Sequence, residues 1–286
     1  MLCAQLWVTI ALDDCKLKYS DIQQATVGYL FGGTCCGQRA LYELGFTGIP
    51  IFNVNNACAS GSSGLFLCKQ IIESGNADVV LACGFEKMAT GSLDTQAGNS
   101  DDRALSVDNH IQFVDWPRGL LLLCRNSQFT KEFTLDQVIN ARKIYDFMGL
   151  LECSPTSDGS AAAVLCSERF LEKNPHLKPQ AVEIVGLKLG TDQPSVFKEN
   201  SNIKMIGFDM IQKISSELYK ETGVTPNDVQ VIELHDCFAP NELITYEALG
   251  LCDIGKGGTI VDRGDNTYGG KWVINPSGGL ISKGHP

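Results

Sequence analysis

Two stretches of the chain alternate apolar and polar segments in the way that is typical of strands joined to helices. In the first, Ile49–Val54 is a short apolar run, Asn55–Ser60 is a polar turn, and Gly61–Ser74 is a helical segment rich in small residues. Asp78–Cys83 is a second apolar run. The pattern predicts a strand, a turn, a helix and a second strand, in that order.

A similar pattern occurs nearer the C-terminal end. Val229–Leu234 predicts a strand, and Asn241–Leu249 predicts a helix that ends at Gly250. Between the two patterns, Ala161–Ser167 and Ala181–Leu189 predict further strands. Strands that alternate with helices predict an α/β architecture. The likeness of the two patterns is also what an old internal duplication would leave.

Two more segments complete the pattern. Apolar side chains recur on one face of a predicted helix, at Ile206, Met210, Ile214 and Leu218. The region from Thr90 to Phe133 has weak periodicity and mixed polarity. We expect it to be an excursion from the core.

Composition and charge exclude several classes of protein. The 286 residues are 44% hydrophobic and 20% charged, which is the composition of a folded protein. The net charge of -10 repels phosphate backbones and anionic lipid headgroups, so nucleic acid is not an expected partner. No apolar run approaches the roughly 20 residues that span a bilayer, so no membrane span is predicted.

The cysteines favour free thiols over a metal site or a disulfide scaffold. The chain has 12 cysteines but no Cys-x-x-Cys pair, and the adjacent Cys35 and Cys36 have poor spacing for a metal or a disulfide. Free thiols fit a reducing compartment.

Cys58 is the first candidate for chemistry. It lies between a predicted buried strand and a helix that contains Gly61 and Gly64. The N–H groups at the start of a helix favour a thiolate, and small residues let a helix pass close to its neighbours while the thiol stays accessible. The alternative is a buried structural cysteine, and on this segment alone both interpretations stay open.

A second candidate group follows the strand Val229–Leu234. His235, Asp236 and Cys237 come directly after it, at the carboxyl end where α/β proteins place their sites. The imidazole could donate a hydrogen bond and the thiol could carry a proton. A metal site would need ligands that this spacing does not supply.

The third candidate group is the segment from Asn275 to Pro286. Its glycines allow a backbone to approach a ligand closely, and His285 stands between Gly284 and Pro286. Taken alone, this segment would favour a solvent-exposed histidine at position 285 with no part in a site. His110 and His176, in polar surroundings, are predicted to be surface residues.

Together, these elements resemble thiolases, and most closely the thiolase domain of the sterol carrier protein X family. The resemblance runs from about Tyr19 onward. It rests on Cys36–Ala40, the Asn-Asn-x-Cys-x-Ser-Gly segment at Cys58, Gly84–Met88, Pro155–Gly159, His235–Phe238 and Asp262–Gly279, in the family's order. Other thiolases usually have Asn-Glu-Ala-Phe where this chain has His-Asp-Cys-Phe.

The resemblance implies a thiolase fold, in which two similar α/β halves form a five-layered α-β-α-β-α core, here incomplete at both termini. It places the N-terminal half in residues 1–89 and 150–175 and a shortened loop or cover region in 90–149. The C-terminal half would be 176–286, cut after Gly284, His285 and Pro286.

The resemblance also implies an acetyl-CoA or propanoyl-CoA C-acyltransferase. Cys58 would be the nucleophile activated by His285, and Cys237 would protonate the enolate. His235 and His285 would form an oxyanion hole. The substrate and CoA loop would be Gly278, Gly279, Ser282 and Gly284. CoA would be a co-substrate, with no cofactor and no metal.

In the cell, the family implies lipid metabolism: β-oxidation of branched fatty acids or of a sterol side chain, lipid transport, and a peroxisomal location. No Ser-Lys-Leu type address is present at Pro286, and the alternative location is the cytoplasm. The resemblance also implies a homodimer. The missing terminal segments would weaken a dimer here.

Three departures from the family are expected to matter. Met1–Lys18 does not resemble the family's first strand and helix, the chain is short between Trp116 and Asn126, and it stops after Pro286. Missing core strands would leave sheet edges uncovered, so we expect low stability and weak activity. Two rival hypotheses are a catalytically silent thiolase-like protein that binds acyl-CoA or lipid or serves as a partner subunit, and a condensing synthase of the same fold.

Overall fold

A computed structural model describes residues 2–88 and 133–286, without the side chains of Leu2, Cys3 and Phe197. The chain forms two compact units. Of the described residues, unit 1 holds 2–88, 158–187 and 286, and unit 2 holds 133–157 and 188–285. The excursion predicted from Thr90 to Phe133 lies outside the described residues, apart from Phe133.

The strands of the described residues are numbered in chain order. They are β1 (Gln24–Gly28), β2 (Ile51–Val54), β3 (Val79–Glu86), β4 (Lys143–Tyr145), β5 (Met148–Gly149), β6 (Gly159–Cys166), β7 (Val231–Ile232) and β8 (Val273–Ile274).

The α-helices of the same residues are α1 (Leu2–Asp14), α2 (Cys36–Tyr42), α3 (Ser60–Glu73), α4 (Leu135–Ile139), α5 (Glu168–Lys173), α6 (Ser195–Lys198), α7 (Asn202–Met205), α8 (Phe208–Thr222), α9 (Ala239–Ala248), α10 (Gly257–Asp262) and α11 (Gly279–Lys283). Short 3-10 turns cover Tyr19–Asp21, Leu150–Glu152 and Pro175–Gln180. None of these helices is both long enough and apolar enough to cross a bilayer.

Unit 1 is built on a four-stranded sheet in the order β2-β1-β3-β6. β1 runs parallel to β2 and β3, and β6 is antiparallel to β3. Because side chains alternate along a strand, Val27 and Leu81 pack on one face with Val8 of α1 and Leu41 of α2. Val80 packs on the other face with α3. The sheet therefore lies between helices, and the carboxyl ends of β1, β2 and β3 meet at one edge.

Unit 2 has a smaller core around the parallel pair β7 and β8. Tyr246 of α9, Ile260 of α10 and Ile274 of β8 are buried in one cluster with Trp272. The indole N–H of Trp272 donates to the carbonyl of Pro226 at 2.9 Å, so the turn before β7 is fixed to the residue before β8. The antiparallel pair β4 and β5 belongs to the same unit.

Most of the predicted elements form, with shifted ends. The helix predicted at Gly61–Ser74 is α3, and that at Asn241–Leu249 is α9. The strands predicted at Ile49–Val54, Asp78–Cys83 and Ala161–Ser167 are β2, β3 and β6. The strand predicted at Val229–Leu234 shrinks to the two residues of β7.

One predicted strand is wrong. Residues 181–189 form no ladder, and Val182 and Val185 are 89% and 64% exposed. Their apolar alternation is that of a strand, but a strand is stable only when a neighbour accepts its backbone hydrogen bonds. In the described residues no such neighbour is present. Near the end of this stretch, Lys188 forms a salt bridge with Glu221 of α8, which attaches the segment to that helix.

Candidate active site

Cys58 lies in unit 1, in the turn between β2 and α3, as predicted. Ala57 before it has a φ of +46°, an unusual conformation for a residue with a side chain. The hydroxyl of Ser60 stabilises this turn, since it donates to the carbonyl of Ala57 at 2.7 Å and accepts from the N–H of Asn56 at 2.8 Å. The side-chain amide of Asn56 donates to Ser63 at 2.8 Å. Serines of the first turn of α3 therefore shape the backbone that presents Cys58.

The thiol of Cys58 is exposed, so the alternative of a buried structural cysteine is wrong. The ten described cysteines form no disulfide. Several of the others differ from Cys58 in their surroundings: burial raises the pKa of Cys68, and raises that of Cys83 to about 12. Those two thiols stay protonated at neutral pH and are shielded from reagents.

The close approach of α3 to the sheet depends on glycines. A Cβ on Gly64 would lie 3.0 Å from the hydroxyl of Thr26, so the expected close packing at Gly64 is confirmed. The backbone of Gly61 also lies close to the sheet, since a Cβ on Gly28 would be 2.9 Å from the Gly61 nitrogen, but a Cβ on Gly61 itself would point into open space. The residue that needs to be small is Gly28 of β1, whose Cβ would lie 2.7 Å from the backbone of Ser60.

Glu86, at the end of β3, binds backbone N–H groups at the edge of the sheet next to this turn. Its carboxylate accepts from the N–H of Leu30 at 2.6 Å and of Phe31 at 3.3 Å, at the end of β1. Asn55, at the end of β2, donates to the carbonyl of Leu30 at 3.2 Å. Glu86 lies in the Gly84–Met88 motif, one of those on which the resemblance rests. Its contribution could not be read from spacing, since its partners lie more than fifty residues away.

In unit 2, His235, Asp236 and Cys237 follow β7, as predicted. The residue before them is fixed by Asn275, whose side-chain oxygen accepts from the N–H of Leu234 at 2.8 Å. The carbonyl of Cys237 accepts from the N–H of Ser154 at 2.9 Å. Cys237 is half-buried and His235 is exposed.

His285, which follows α11 in the same unit, lies next to His235. Its N–H donates to the carbonyl of Pro155 at 2.7 Å, and its carbonyl accepts from the N–H of Ser157 at 3.1 Å. Its ring meets that of His235 edge to face, with centroids 5.0 Å apart. His176, by contrast, is exposed on a 3-10 turn, as predicted.

The segment from Cys153 to Ser157 therefore supports both halves of the group. Ser154 holds the backbone of Cys237, and Pro155 and Ser157 hold that of His285. Pro155–Gly159 was a motif of the resemblance, but no function was predicted for it. In the structure this motif holds the loop of His285, and Ser154, directly before the motif, holds the loop of Cys237.

The surroundings of His235 favour its neutral imidazole. Desolvation is the main cause that lowers the pKa of His235, and the nearby His285 adds to it, whereas Asp236 acts in the opposite direction. A neutral imidazole has one N–H donor and one free acceptor nitrogen. At neutral pH, His235 can donate a hydrogen bond to a developing oxyanion.

The glycine loop takes backbone conformations that side chains disfavour. The φ of Gly278 is +98° and that of Gly284 is +101°. Gly279 has a φ of +58° and packs directly against Asp236. Ser282 is buried. The assignment of these four residues to a CoA loop stays a prediction.

A separate groove of about 660 Å³ lies in unit 2, lined in part by Gln193, Ser195 and Gln212. Lys204, also on its wall, is paired with Glu199 at 2.7 Å and with Asp209 at 3.1 Å. The groove contains none of the predicted site residues, so we do not assign the chemistry to it.

Comparison with known proteins identifies the family. The family models described as "Thiolase, N-terminal domain" and "Thiolase C-terminal domain-like" match residues 3–115 and 197–286. "Non-specific lipid-transfer protein-like 2" of Caenorhabditis elegans is 72% identical, covering 98% of this chain and 77% of that protein. "Sterol carrier protein 2" of Gallus gallus is 49% identical over 96% of this chain, which spans 57% of that protein.

Solved structures show the same fold at lower identity. The chain matches a structure titled "Ltp2-ChsH2(DUF35) aldolase" with a TM-score of 0.74 at 18% identity, covering 99% of this chain and 80% of that one. It matches human mitochondrial 3-ketoacyl-CoA thiolase with a TM-score of 0.65 at 16% identity, covering 99% and 81%.

The comparisons also bear on two expected departures. The N-terminal family model begins at residue 3, so the expectation that Met1–Lys18 lies outside the resemblance is wrong, and this segment forms α1. The alignment with the Caenorhabditis elegans relative covers 317 positions, 31 more than the residues of this chain, so that relative has residues without a counterpart here. With matches to both domains and high identity to these relatives, the chain belongs to the thiolase family of acyltransferases, among relatives of sterol carrier protein 2.

Proposed function

We propose that the chain cleaves a 3-oxoacyl-CoA with CoA, and that Cys58 carries the acyl group. The thiol of Cys58 gives its proton to His285 and attacks the 3-keto carbon. The bond between C2 and C3 breaks, which leaves a thioester on Cys58 and the enolate of acetyl-CoA or propanoyl-CoA. The thiol of Cys237 protonates that enolate.

The second half of the reaction restores the starting state. CoA gives its thiol proton to the Cys237 thiolate and attacks the thioester on Cys58. The shortened acyl-CoA leaves, and Cys58 recovers its proton from His285. Each thiol and each imidazole ends as it began, so this scheme needs no redox cofactor or metal.

The observation that carries this proposal is the contact between the rings of His235 and His285, with Cys237 two residues after His235 in the same loop. Two imidazoles and a thiol supply hydrogen-bond donors for an oxyanion and an acid for the enolate. The exposed position of Cys58 at the start of α3 supports its part as the nucleophile.

The finer assignments belong to the same proposal. The substrate class includes the 3-oxoacyl-CoA of a branched fatty acid or a sterol side chain, since the relatives named above are a lipid-transfer protein-like protein and sterol carrier protein 2. Gly278, Gly279, Ser282 and Gly284 would contact CoA. The location would be peroxisomal, and the assembly a homodimer.

A thiolysis assay tests the proposal. The chain is mixed with a 3-oxoacyl-CoA and CoA, and the loss of the enolate absorbance is followed, with C58S as the variant and C35S as an exposed-cysteine control. We expect turnover by the unchanged chain and by C35S, and none by C58S. Acyl-CoA binding without turnover would favour the silent binding protein. Net acetoacetyl-CoA formation from acetyl-CoA alone, with no thiolysis, would favour the synthase.

A further inference from the structure

Asp236 is a buried carboxylate between two candidate site residues. It is 3% exposed and stands between His235 and Cys237 in the chain. A carboxylate removed from water needs hydrogen-bond donors or a counter-ion to remain charged. In the described part of the chain, no lysine or arginine forms a salt bridge with Asp236.

Backbone N–H groups of α11 provide the compensation. The N–H of Leu280 donates to Oδ1 of Asp236 at 2.6 Å, and the N–H of Ile281 lies 3.5 Å from Oδ2. These residues lie 44 and 45 positions away along the chain. The carboxylate therefore joins the loop after β7 to the helix that precedes His285.

Gly279 shows how closely the two segments approach. A Cβ at this position would lie 2.0 Å from Oδ2 of Asp236, a distance at which atoms cannot coexist. The φ of +58° is also a conformation that favours glycine. The start of α11 is thus packed against the carboxylate, with no room for a side chain between them.

The hydrogen bond between Asp236 and Leu280 connects the loop of His235 to the loop of His285 by a short path. His235 is covalently attached to Asp236, and α11 is followed directly by Gly284 and His285. The backbone of His285 is also held by Pro155, so Asp236 fixes the His235 side of the pair relative to an already anchored residue. Its carboxylate is occupied by backbone donors, which argues against a direct part in proton transfer.

We propose that Asp236 is a positioning residue, whose carboxylate holds α11 against the loop after β7 and so fixes the edge-to-face arrangement of His235 and His285. The importance of that arrangement for the reaction rests on the proposed thiolysis. The arrangement itself can be measured without any substrate.

Substitution D236N tests the role, because asparagine has the same shape but replaces one acceptor oxygen by a donor NH₂ group. The matched control is E233Q. Glu233 also holds the glycine loop, accepting from the N–H of Ser277 at 3.0 Å and from its hydroxyl at 2.7 Å, but it is exposed. Thermal unfolding of both variants establishes that each is folded.

The first readout is NMR of the imidazole rings, which is practical because the chain has four histidines. In the full chain and in E233Q, we expect a cross-relaxation signal between the rings of His235 and His285. In D236N we expect that signal to be lost and the pKa of His235 to rise, because its ring moves away from His285. Removal of the negative charge alone would lower this pKa, since Asp236 acts to raise it. An unchanged ring contact with a lowered pKa would overturn the positioning role.

The second readout is kinetic. We expect kcat of D236N to fall by about 100-fold with KM unchanged, as misplacement of a catalytic group by about 1 Å can produce. If the chain without substitutions shows no thiolysis, the proposed function is wrong. The role of Asp236 is then still decided by the contact between the rings of His235 and His285. If D236N does not fold, amide exchange in the unchanged chain is decisive: a Leu280 N–H that exchanges as fast as an exposed loop amide overturns the proposal.

Discussion

His235 lies edge to face against His285, with the ring planes at 82° and the centroids 5.0 Å apart. The two rings come from different loops, one after β7 and the other after α11. Two imidazolium cations this close would repel each other, so the pair disfavours double protonation. Neutral imidazoles can donate to an oxyanion and also accept a proton, which are the two properties that the proposed thiolysis would require of this pair.

Loss of either imidazole should reduce catalysis strongly. Removing one donor from an oxyanion hole lowers kcat by about 100-fold to 1,000-fold. We therefore expect H235A and H285A each to lose about that factor in thiolysis, and the double variant to lose less than the product of the two factors, because the rings act as a unit. H176A is the control, since that histidine is exposed and far from β7 in the chain. Full activity of H235A would remove His235 from the mechanism.

Alkylation should distinguish Cys58 from the other thiols. Cys58 and Cys35 are both exposed, whereas burial raises the pKa of Cys83 to about 12. We expect iodoacetamide to modify Cys58 faster than Cys35 and to leave Cys83 unmodified, as peptide mass spectrometry would show. Acyl-CoA should slow the reaction at Cys58 alone. Equal rates at Cys58 and Cys35, with no protection, would indicate a thiol that is not activated.

A methyl group at Gly28 should disturb the start of α3. Its Cβ would lie 2.7 Å from the backbone of Ser60, which cannot move without moving the Cys58 turn. We expect G28A to reduce the free energy of unfolding by about 1–3 kcal/mol. The matched control is G61A, where the added Cβ meets open space within a helix, so stability should stay the same or rise by up to about 1 kcal/mol. Denaturant unfolding that gave equal stabilities for the two variants would contradict this packing.

Glu242 should make stability depend on pH near neutrality. Burial raises its pKa from 4.5 to about 7, Asp236 adds to the rise, and a hydrogen bond from Tyr246 opposes it. Between pH 4.5 and about 7, the folded chain keeps this proton and the unfolded chain loses it. The stabilising contribution is therefore complete below pH 4.5 and is lost as the pH rises towards 7, by about 3 kcal/mol.

The glutamine side chain of E242Q cannot ionise, so this variant should not lose stability in this way as the pH rises. Unfolding measured at pH 5 and pH 8 should show a smaller difference for E242Q than for the unchanged chain. The matched control is E233Q, whose carboxylate is exposed. An identical pH difference in E242Q and in the unchanged chain would show that Glu242 titrates normally.

The sequence allowed prediction of those parts of the fold that depend on local pattern. β2, α3 and β3 follow from an apolar run, small residues and a second apolar run, and α9 follows from its own periodicity. The segment 181–189 has the same kind of alternation, yet no strand forms there, because pairing depends on a partner elsewhere in the chain. α1 was also missed, since an apolar N-terminal segment without a helical stripe gives no clear periodicity.

The candidate site also has parts that the sequence predicts and parts that it does not. Cys58, Cys237 and His285 could be predicted because each lies in a motif at the end of a strand or in a glycine-rich loop. The hydrogen bonds that hold these residues in place could not be predicted. The Asp236 contact with Leu280 and the Ser154 contact with Cys237 join residues from distant parts of the chain, and spacing carries no information about such pairs. Gly28 was not singled out, because its neighbour in space, Ser60, is 32 residues further along the chain.

The acyl-enzyme is the most direct test of the account. The chain is incubated with a 3-oxoacyl-CoA in the absence of free CoA, quenched in acid and digested, and the cysteine peptides are examined by mass spectrometry. We predict one acyl group, shorter than the substrate acyl chain by the unit released, on the peptide that contains Cys58, and its loss when CoA is added before the quench. Failure to acylate Cys58, or acylation of a different cysteine that turns over with CoA, would contradict the assignment of Cys58 as the nucleophile.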